Sequence, residues 1–344
     1  ARLVQYELPP GWSMTIDERM GIAEPLPTGE PRFYRESIAP VRALDGDGHD
    51  VVAAIATVDG VAAPLHNVDS RFIGYLRGPH TITLEFNRAL DTLPGTPTLV
   101  AQGWVEYPYC QTNFAAWQAG AVLVAPDLEA RGADGQWRRL HGPWGYPAGM
   151  PREISLMLPP LPNGTDAIRL TSTQEIYWDA FRVVGAEPCP DAVRTELPLA
   201  GAEVADGGFA LRVPQPQKRP LYEYARRVPL WDTRHQSGFY TAFGRCTPLI
   251  AATDDAVAIF GPGEELRLSF GAARTPQRQG WSRRFVLELD GWCKDMDLFT
   301  RDGEQLAPLP SREPLTDDAL EVRDRLHQLH QLHQEFNTRY RDGR

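Results

Sequence analysis

The stretch of the chain best suited to metal chemistry runs from Asp45 to Asp50 and reads Asp-Gly-Asp-Gly-His-Asp. Calcium loops place oxygen ligands at alternate positions around a glycine bend, because Ca²⁺ prefers six to eight oxygens. Asp45, Asp47 and Asp50 are candidate ligands on this basis, although the EF-hand spacing and its terminal glutamate are missing. The alternative interpretation is an Asp- and Gly-rich hairpin turn without metal. The sequence predicts no cofactor. Calcium is the candidate ion for this loop.

A second pair of carboxylates, Asp295 and Asp297, lies near the end of a β-like stretch. On a strand these side chains would share one face about 6.6 Å apart, close enough to hold a cation or a polar ligand. The alternative is a solvated loop at the end of the strand.

Glu175 and Asp179 would be ~13 Å apart on a strand. This separation is beyond the roughly 5–9.5 Å of paired glycosidase carboxylates, so we discount this pair as catalytic.

Aromatic residues cluster in a Pro- and Gly-rich stretch that we expect to form loops. Exposed aromatic rings beside polar groups bind sugars, and they also suit protein interfaces. The candidate binding residues are Tyr107, Tyr109, Trp117, Trp144 and Tyr146. Trp104 and Trp292 each follow a glycine at matching places in an internal repeat, so we expect both to pack in a core.

Motifs of catalysis give little support for an enzyme. The chain contains no G-x-S-x-G elbow, no H-E-x-x-H, no P-loop and no complete G-x-G-x-x-G. His327, His330 and His333 recur every third position, so neighbouring pairs are a possible metal chelate. The alternative is a repeat that faces solvent or packs a helix. The sequence favours a protein without catalytic activity and identifies no catalytic residue.

The elements that must position these residues are β-strands. Residues 82–86 and 266–270 both alternate apolar and polar side chains, which is typical of a strand with one buried face. Each stretch follows a Gly-Pro turn and precedes a Gly-Trp step, at Trp104 and Trp292. This internal repeat predicts a mainly β fold, with two related β-sandwich, jelly-roll-like domains and a C-terminal amphipathic helix.

The predicted organisation has four parts. A first β-sandwich domain with an N-terminal extension covers residues 1–187, and a Pro-rich connector covers residues 188–220. A second β-sandwich domain covers residues 221–312, and a helix covers residues 313–344. Thr316 can cap this helix, whose apolar stripe packs on its own domain or on a partner. The stripe is Val322, Leu326, Leu329, Leu332, Phe336 and Tyr340.

Length, charge and cysteine content restrict the function classes. A chain of 344 residues can form two ordinary domains, and its 31 prolines and 30 glycines favour short elements joined by turns. A net charge of −10 argues against binding to nucleic acid or to an anionic membrane. No apolar run is long enough to span a bilayer. The four scattered cysteines are expected to be free thiols, or to include one disulfide.

Seven phrases of the sequence form a recognisable set: residues 103–109, 114–120, 145–152, 175–179, 290–297, 306–310 and 336–339. Together they resemble the C-terminal region of bacterial exported proteins that carry FG-GAP (VCBS) repeats and an ASPIC/UnbV domain, the cartilage-acidic-protein-like group. The resemblance covers most of residues 65–340 and implies an exported β protein, periplasmic or extracellular. It implies no activity, and the chain lacks a recognisable run of FG-GAP repeats.

Two classes of function are carried forward. The first is a non-catalytic binding or scaffolding protein, an accessory subunit of an extracytoplasmic or membrane-associated protein assembly. The second is a carbohydrate-binding module or a carbohydrate-active enzyme with dispersed carboxylates. A calcium-stabilised adhesin module is a third, weaker option. The expected partners are therefore proteins or glycans, and not nucleic acid.

Overall fold

The computed structural model describes residues 1–21, 23–228, 234–272, 276–297, 299–310 and 330–343. Within them the protein is mainly β, as the sequence predicts. The chain forms two compact units, each built from separate stretches of sequence. The first, the jelly-roll unit, comprises Gly11–Asp191 and Arg212–Leu221. The second, the terminal unit, comprises Ala1–Pro10, Ala192–Leu211 and Tyr222–Arg344, and it contains strand β1 (Arg2–Leu8).

The jelly-roll unit contains two antiparallel five-stranded sheets, ordered β4-β5-β10-β7-β8 and β2-β3-β11-β6-β9. From β5 onward the chain passes repeatedly between the sheets, so that β3-β11-β6-β9 faces β5-β10-β7-β8. This is the jelly-roll arrangement of a β-sandwich. The strands are β2 (Ser13–Ile16), β3 (Pro31–Ile38), β4 (Arg42–Asp45), β5 (Tyr75–Glu85), β6 (Thr96–Val105), β7 (Asp127–Arg131), β8 (Trp137–His141), β9 (Arg152–Met157), β10 (Ala167–Gln174) and β11 (Ile176–Ala186).

The core of this unit lies between the two sheets and is filled by alternate residues of the strands. Ile82 and Leu84 of β5 are buried, as the period-two pattern predicts. Trp144 stacks on Trp178 with ring centroids 6.1 Å apart, and Trp178 packs on Phe181 at 5.0 Å. These rings belong to one apolar cluster with side chains from both sheets. Burial of this cluster is the main term that stabilises the sandwich.

The terminal unit contains two antiparallel three-stranded sheets, β12-β1-β19 and β17-β13-β18, and two strand pairs, β14-β15 and β16-β20. Alternating residues of β13 and β18 supply an apolar cluster with Cys246 and Leu249. The strands are β12 (Val193–Leu197), β13 (Leu199–Asp206), β14 (Phe209–Arg212), β15 (Tyr222–Val228), β16 (Gly238–Tyr240), β17 (Gly244–Arg245), β18 (Glu264–Phe270), β19 (Ser282–Glu288) and β20 (Arg339–Arg341).

Three α-helices lie in the described part of the chain: α1 (Cys110–Gln118), α2 (Thr247–Ile250) and α3 (Gln331–Phe336). Leu332 and Phe336 of α3 pack against the apolar cluster of their own unit, as predicted for the C-terminal stripe. The helix ends at Phe336, and Tyr340 is an exposed residue of β20 rather than part of the stripe. Thr316, Val322, Leu326, Leu329 and His327 lie outside the described residues.

After helix α3 ends at Phe336, the residues of β20 complete an ion-pair network around a buried carboxylate. Glu264 has a side chain only 2% exposed, and its carboxylate pairs with Arg339 at 2.6 Å and with Arg341. Burial raises the pKa of Glu264, but Arg339, the Gly261 N–H and Arg341 together outweigh it, and this pKa is lowered overall. Both arginines are two apart on β20 and therefore face the same side of the strand.

The four cysteines are free thiols. Cys189 and Cys246 are buried, Cys110 is half-buried and Cys293 is exposed. Burial raises the pKa of the Cys246 thiol, which makes it a poor nucleophile at neutral pH. The structure therefore agrees with the expectation of four free thiols and contains no disulfide among these cysteines.

Candidate functional site

The structure separates the five aromatic candidates into two environments. Trp144 is fully buried and Tyr146 is 7% exposed, and both belong to the core between the sheets. A ligand in solution cannot reach these two rings, so they leave the candidate surface. Tyr107, Tyr109 and Trp117 are 43%, 61% and 72% exposed.

Trp117 is presented by a helix where the sequence suggested only loops. Helix α1 is stabilised by Ala115 and Ala116, which favour helix formation. It ends at Gln118, and Gly120, which follows the C-cap residue Ala119, has the φ of +74° that terminates a helix well. Its inner side is fixed by Asn113, which accepts a hydrogen bond from the Tyr75 hydroxyl at 2.7 Å and donates one to the Pro108 carbonyl at 3.2 Å. The helix therefore holds Trp117 outward on an anchored support.

The segment around α1 combines exposure with a lack of charge. Residues 107–126 contain no Asp, Glu, Lys, Arg or His, in a chain in which 23% of residues are charged. Aromatic enrichment with depletion of charge is the compositional signature of the centre of a protein interface. We call its exposed large apolar side chains the α1 surface: Tyr107, Tyr109, Trp117, Val122 and Val124.

The three aspartates of the predicted calcium loop do not converge on one point. Asp45 closes a hairpin turn after β4, where its Oδ1 accepts the N–H groups of Asp47 and His49, both at 2.9 Å. Gly48 has a φ of +84°, which this tight turn requires. The Asp50 carboxylate instead accepts the N–H of Val52 at 2.9 Å. The turn interpretation accounts for Asp45 and Asp50, and the group of potential metal ligands around Asp45 in the described residues contains neither Asp47 nor Asp50.

Two histidines approach Asp45 in place of the other aspartates. Asp45 Oδ2 lies 3.1 Å from His49 Nδ1 and 3.8 Å from His66 Nε2. One ligand atom from each of the three residues lies within 4.8 Å of the others. Burial raises the pKa of the Asp45 carboxyl, but hydrogen bonds from His49 and Asp47 outweigh it, and this pKa is lowered overall. The carboxylate is therefore ionised at neutral pH.

The second predicted carboxylate pair, Asp295 and Asp297, does not lie on a strand. Residues 291–296 have no regular secondary structure, and Asp297 Oδ1 accepts the N–H groups of Phe299 and Thr300 at 2.7 Å. The two carboxylates therefore do not share a strand face. Trp292 beside them is 52% exposed, so the expected core position of this residue is wrong.

Sequence reasoning discounted Glu175 and Asp179, and the structure buries both side chains: Glu175 directly precedes β11, and Asp179 lies on it. Glu175 Oε1 pairs with Lys218 Nζ at 2.7 Å and accepts the Tyr177 hydroxyl at 2.5 Å. Asp179 accepts the N–H groups of Asp59 and Gly60 at 3.2–3.3 Å. Both carboxylates thus fix covering segments to the sheet, and the only sequence signal for this was the Asp59-Gly60 turn.

The same face of the jelly-roll unit shows how the Pro-rich connector is held. The Gln217 side chain accepts the N–H of Ala62 at 2.9 Å and donates to its carbonyl at 2.8 Å. The Trp104 indole N–H donates to the Gln217 carbonyl at 2.9 Å, and Trp104 stacks on Tyr177 at 5.7 Å. Trp104 is fully buried, as the sequence predicts.

Comparisons with known proteins do not add a function to this geometry. No protein-family model matches the chain, and no curated protein matches it. No helix in the described ranges is both long and apolar enough to cross a membrane. The candidate surfaces are therefore the α1 surface and the Asp45 turn, argued from their own residues.

Proposed function

We propose that the protein is a non-catalytic binding or scaffolding protein, an accessory subunit that docks on a protein partner through the α1 surface. The assembly is proposed to be extracytoplasmic or membrane-associated, in line with the resemblance to exported proteins. The observation that carries the proposal is the exposure of Tyr109, Trp117 and Val122 in a segment without charge.

A protein partner suits this surface for two physical reasons. Trp and Tyr are the residues that most often dominate binding energy at interfaces, because they bury large area at little cost in side-chain entropy. Charged side chains are costly to desolvate at the centre of an interface, and residues 107–126 have none. Glu106 and Asp127, which flank the segment, supply polar groups where it ends.

Carbohydrate binding is the second candidate, supported by a separate observation. Tyr109 and Trp117 each expose more than half of their surface, and Gln111 and Gln118 of the same helix are exposed amides. Rings beside amides can stack on and hydrogen-bond to sugars. Jelly rolls also occur as lectin domains, which is an analogy of fold alone.

Isolation from the source membranes with a Trp117→Ala variant tests the proposal. The wild-type chain is expected to co-isolate with a defined protein, and Trp117→Ala is expected to weaken that association roughly tenfold or more. Trp292→Ala is the matched control, because it removes an exposed tryptophan from the terminal unit. Recovery of the wild-type chain only as a free monomer would contradict the proposal.

A glycan array with the same three proteins separates the second candidate. Glycan binding that is lost in Trp117→Ala and kept in Trp292→Ala would favour the carbohydrate function over the protein partner. Equal glycan binding by all three proteins, or no glycan binding by any of them, would contradict the carbohydrate function.

A further inference from the structure

The cluster at the Asp45 turn has the chemistry of a metal site of a different class from calcium. Its three ligand atoms are one carboxylate oxygen and two imidazole nitrogens, from Asp45, His49 and His66. Ca²⁺ takes oxygen ligands almost exclusively. Neutral imidazole with one carboxylate suits Zn²⁺ and the neighbouring first-row transition metals.

The two distances from Asp45 Oδ2 to the imidazole nitrogens are near those that such an ion requires. Metal–ligand bonds of about 2.0–2.1 Å in a tetrahedral arrangement place ligand atoms roughly 3.3 Å apart. Asp45 Oδ2 is 3.1 Å from His49 Nδ1 and 3.8 Å from His66 Nε2. The side chains of His49 and His66 are 70% and 48% exposed, so both rings can rotate inward by small amounts. An ion held here would bridge Asp45 Oδ2 and His49 Nδ1 in place of their direct contact.

The backbone holds the donors in place before any ion binds. The Asp45 N–H donates to the His49 carbonyl at 3.0 Å, and the Val51 N–H donates to the Ala43 carbonyl at 2.8 Å, which closes the hairpin. On the second loop, the residue after His66 is Asn67, whose carbonyl accepts the N–H of Arg77 at 2.8 Å. Asp45 Oδ1 is occupied by two backbone N–H groups, so Oδ2 is oriented towards the histidines.

We propose that Asp45, His49 and His66 form a binding site for a divalent transition-metal cation of the zinc class. Three protein ligands leave a fourth position open to solvent on the side of the exposed imidazoles. The ion joins the hairpin after β4 to the loop before β5, and it thereby fixes both ends of the segment that is hydrogen-bonded to β11 through Asp59 and Ala63. The site is separate from the α1 surface.

Titration of the full chain with Zn²⁺, Co²⁺ and Ca²⁺ tests the site. We expect one equivalent of Zn²⁺ or Co²⁺ to bind, a visible Co²⁺ absorption of four-coordinate type and a melting temperature raised by Zn²⁺ and restored by a chelator. Ca²⁺ is expected to give none of these effects. His49→Ala and His66→Ala are each expected to weaken binding at least roughly tenfold. Both residues are exposed, so these variants should fold, which circular dichroism can verify.

His330→Ala is the matched control, because His330 and His333 of the terminal unit have rings only 5.1 Å apart and offer a rival chelate. The proposal requires that His330→Ala binds Zn²⁺ as the wild type does. Loss of binding in His330→Ala with retention in His49→Ala and His66→Ala would overturn it. Absence of Zn²⁺ and Co²⁺ binding to the wild type would overturn it as well.

Discussion

Trp144 and Trp117 come from one aromatic-rich stretch, yet their surroundings differ completely. Trp144 is fully buried and stacks on Trp178 between two sheets, whereas Trp117 is 72% exposed on α1 and contacts only Phe114 among the ring pairs of the described residues. The stretch before Trp144 contains charges, at Arg138 and Arg139, and the stretch around Trp117 has none. Of these two tryptophans, the exposed one therefore lies in the uncharged segment and the buried one follows charged residues. This is the reverse of the usual association of charged residues with the protein surface.

The largest expected effect is the loss of stability on replacing Trp144. Trp144→Ala should lower the free energy of unfolding by about 3–5 kcal/mol, because it leaves a cavity where the ring stacks on Trp178. Trp117→Ala is the control, and its free energy of unfolding should lie within about 0.5 kcal/mol of that of the wild type. Urea denaturation followed by circular dichroism measures both. Similar losses in the two variants would erase the contrast between core and surface rings.

A second expected effect contrasts the two tryptophans of the repeat. Trp104→Phe keeps most of the stacking on Tyr177 but removes the indole donor to the Gln217 carbonyl, so stability should fall by about 1–3 kcal/mol. Trp292→Phe should change it by less than about 0.5 kcal/mol, since Trp292 is half exposed. The same denaturation experiment applies. A loss of stability in Trp292→Phe as large as that in Trp104→Phe would mean that the two positions are equivalent after all.

Tyr146 gives a pH test of burial. Burial, with a smaller effect of Tyr107, raises the pKa of the Tyr146 phenol to about 12. The folded state thus holds this proton more tightly than the unfolded chain, whose tyrosines titrate near pH ~10. The contribution of the neutral Tyr146 phenol to the free energy of unfolding is complete below pH ~10, and it is lost as the pH rises towards about 12.

Melting temperatures of the wild type and Tyr146→Phe across this range provide the measurement. The variant should lack the part of the alkaline loss that Tyr146 causes. Parallel curves would show that the buried phenol does not contribute.

The smallest expected effect on stability comes from placing a charge on the α1 surface. Val122 is 68% exposed, so Val122→Asp should change the free energy of unfolding by less than about 0.5 kcal/mol. Binding of the partner should nevertheless weaken, because the added carboxylate must be desolvated in the interface. Pull-down beside the wild type measures this, and unchanged binding would place Val122 outside the contact area.

Much of the fold follows from local pattern, because a strand with one buried face records its environment every second residue. Residues 82–86 and 266–270 are recognisable in this way, and they largely coincide with parts of β5 and β18. The helix at α1 escaped prediction because the flanking Pro108 and Gly120 indicate turns while only Ala115 and Ala116 favour a helix strongly.

The candidate sites were less predictable, because they depend on residues that are distant in sequence. His66 carries no local sign that it approaches Asp45, and the turn residues suggested Asp47 and Asp50 instead. Likewise, Trp292 matches Trp104 in its neighbours, but Trp104 is covered by Gln217 and Ala62, which no pattern around either tryptophan records.

Strand β1 has a consequence for biosynthesis. It is the central strand of its sheet, yet its partners β12 and β19 begin at Val193 and Ser282. At ~5–20 residues per second, translation from β1 to β19 takes roughly 14–55 s. During this interval the strand, with Val4 and Leu8 that end fully buried, has not gained both neighbours. Unpaired apolar strands aggregate, so the yield of native protein in cells depends on how this strand is shielded as well as on final stability.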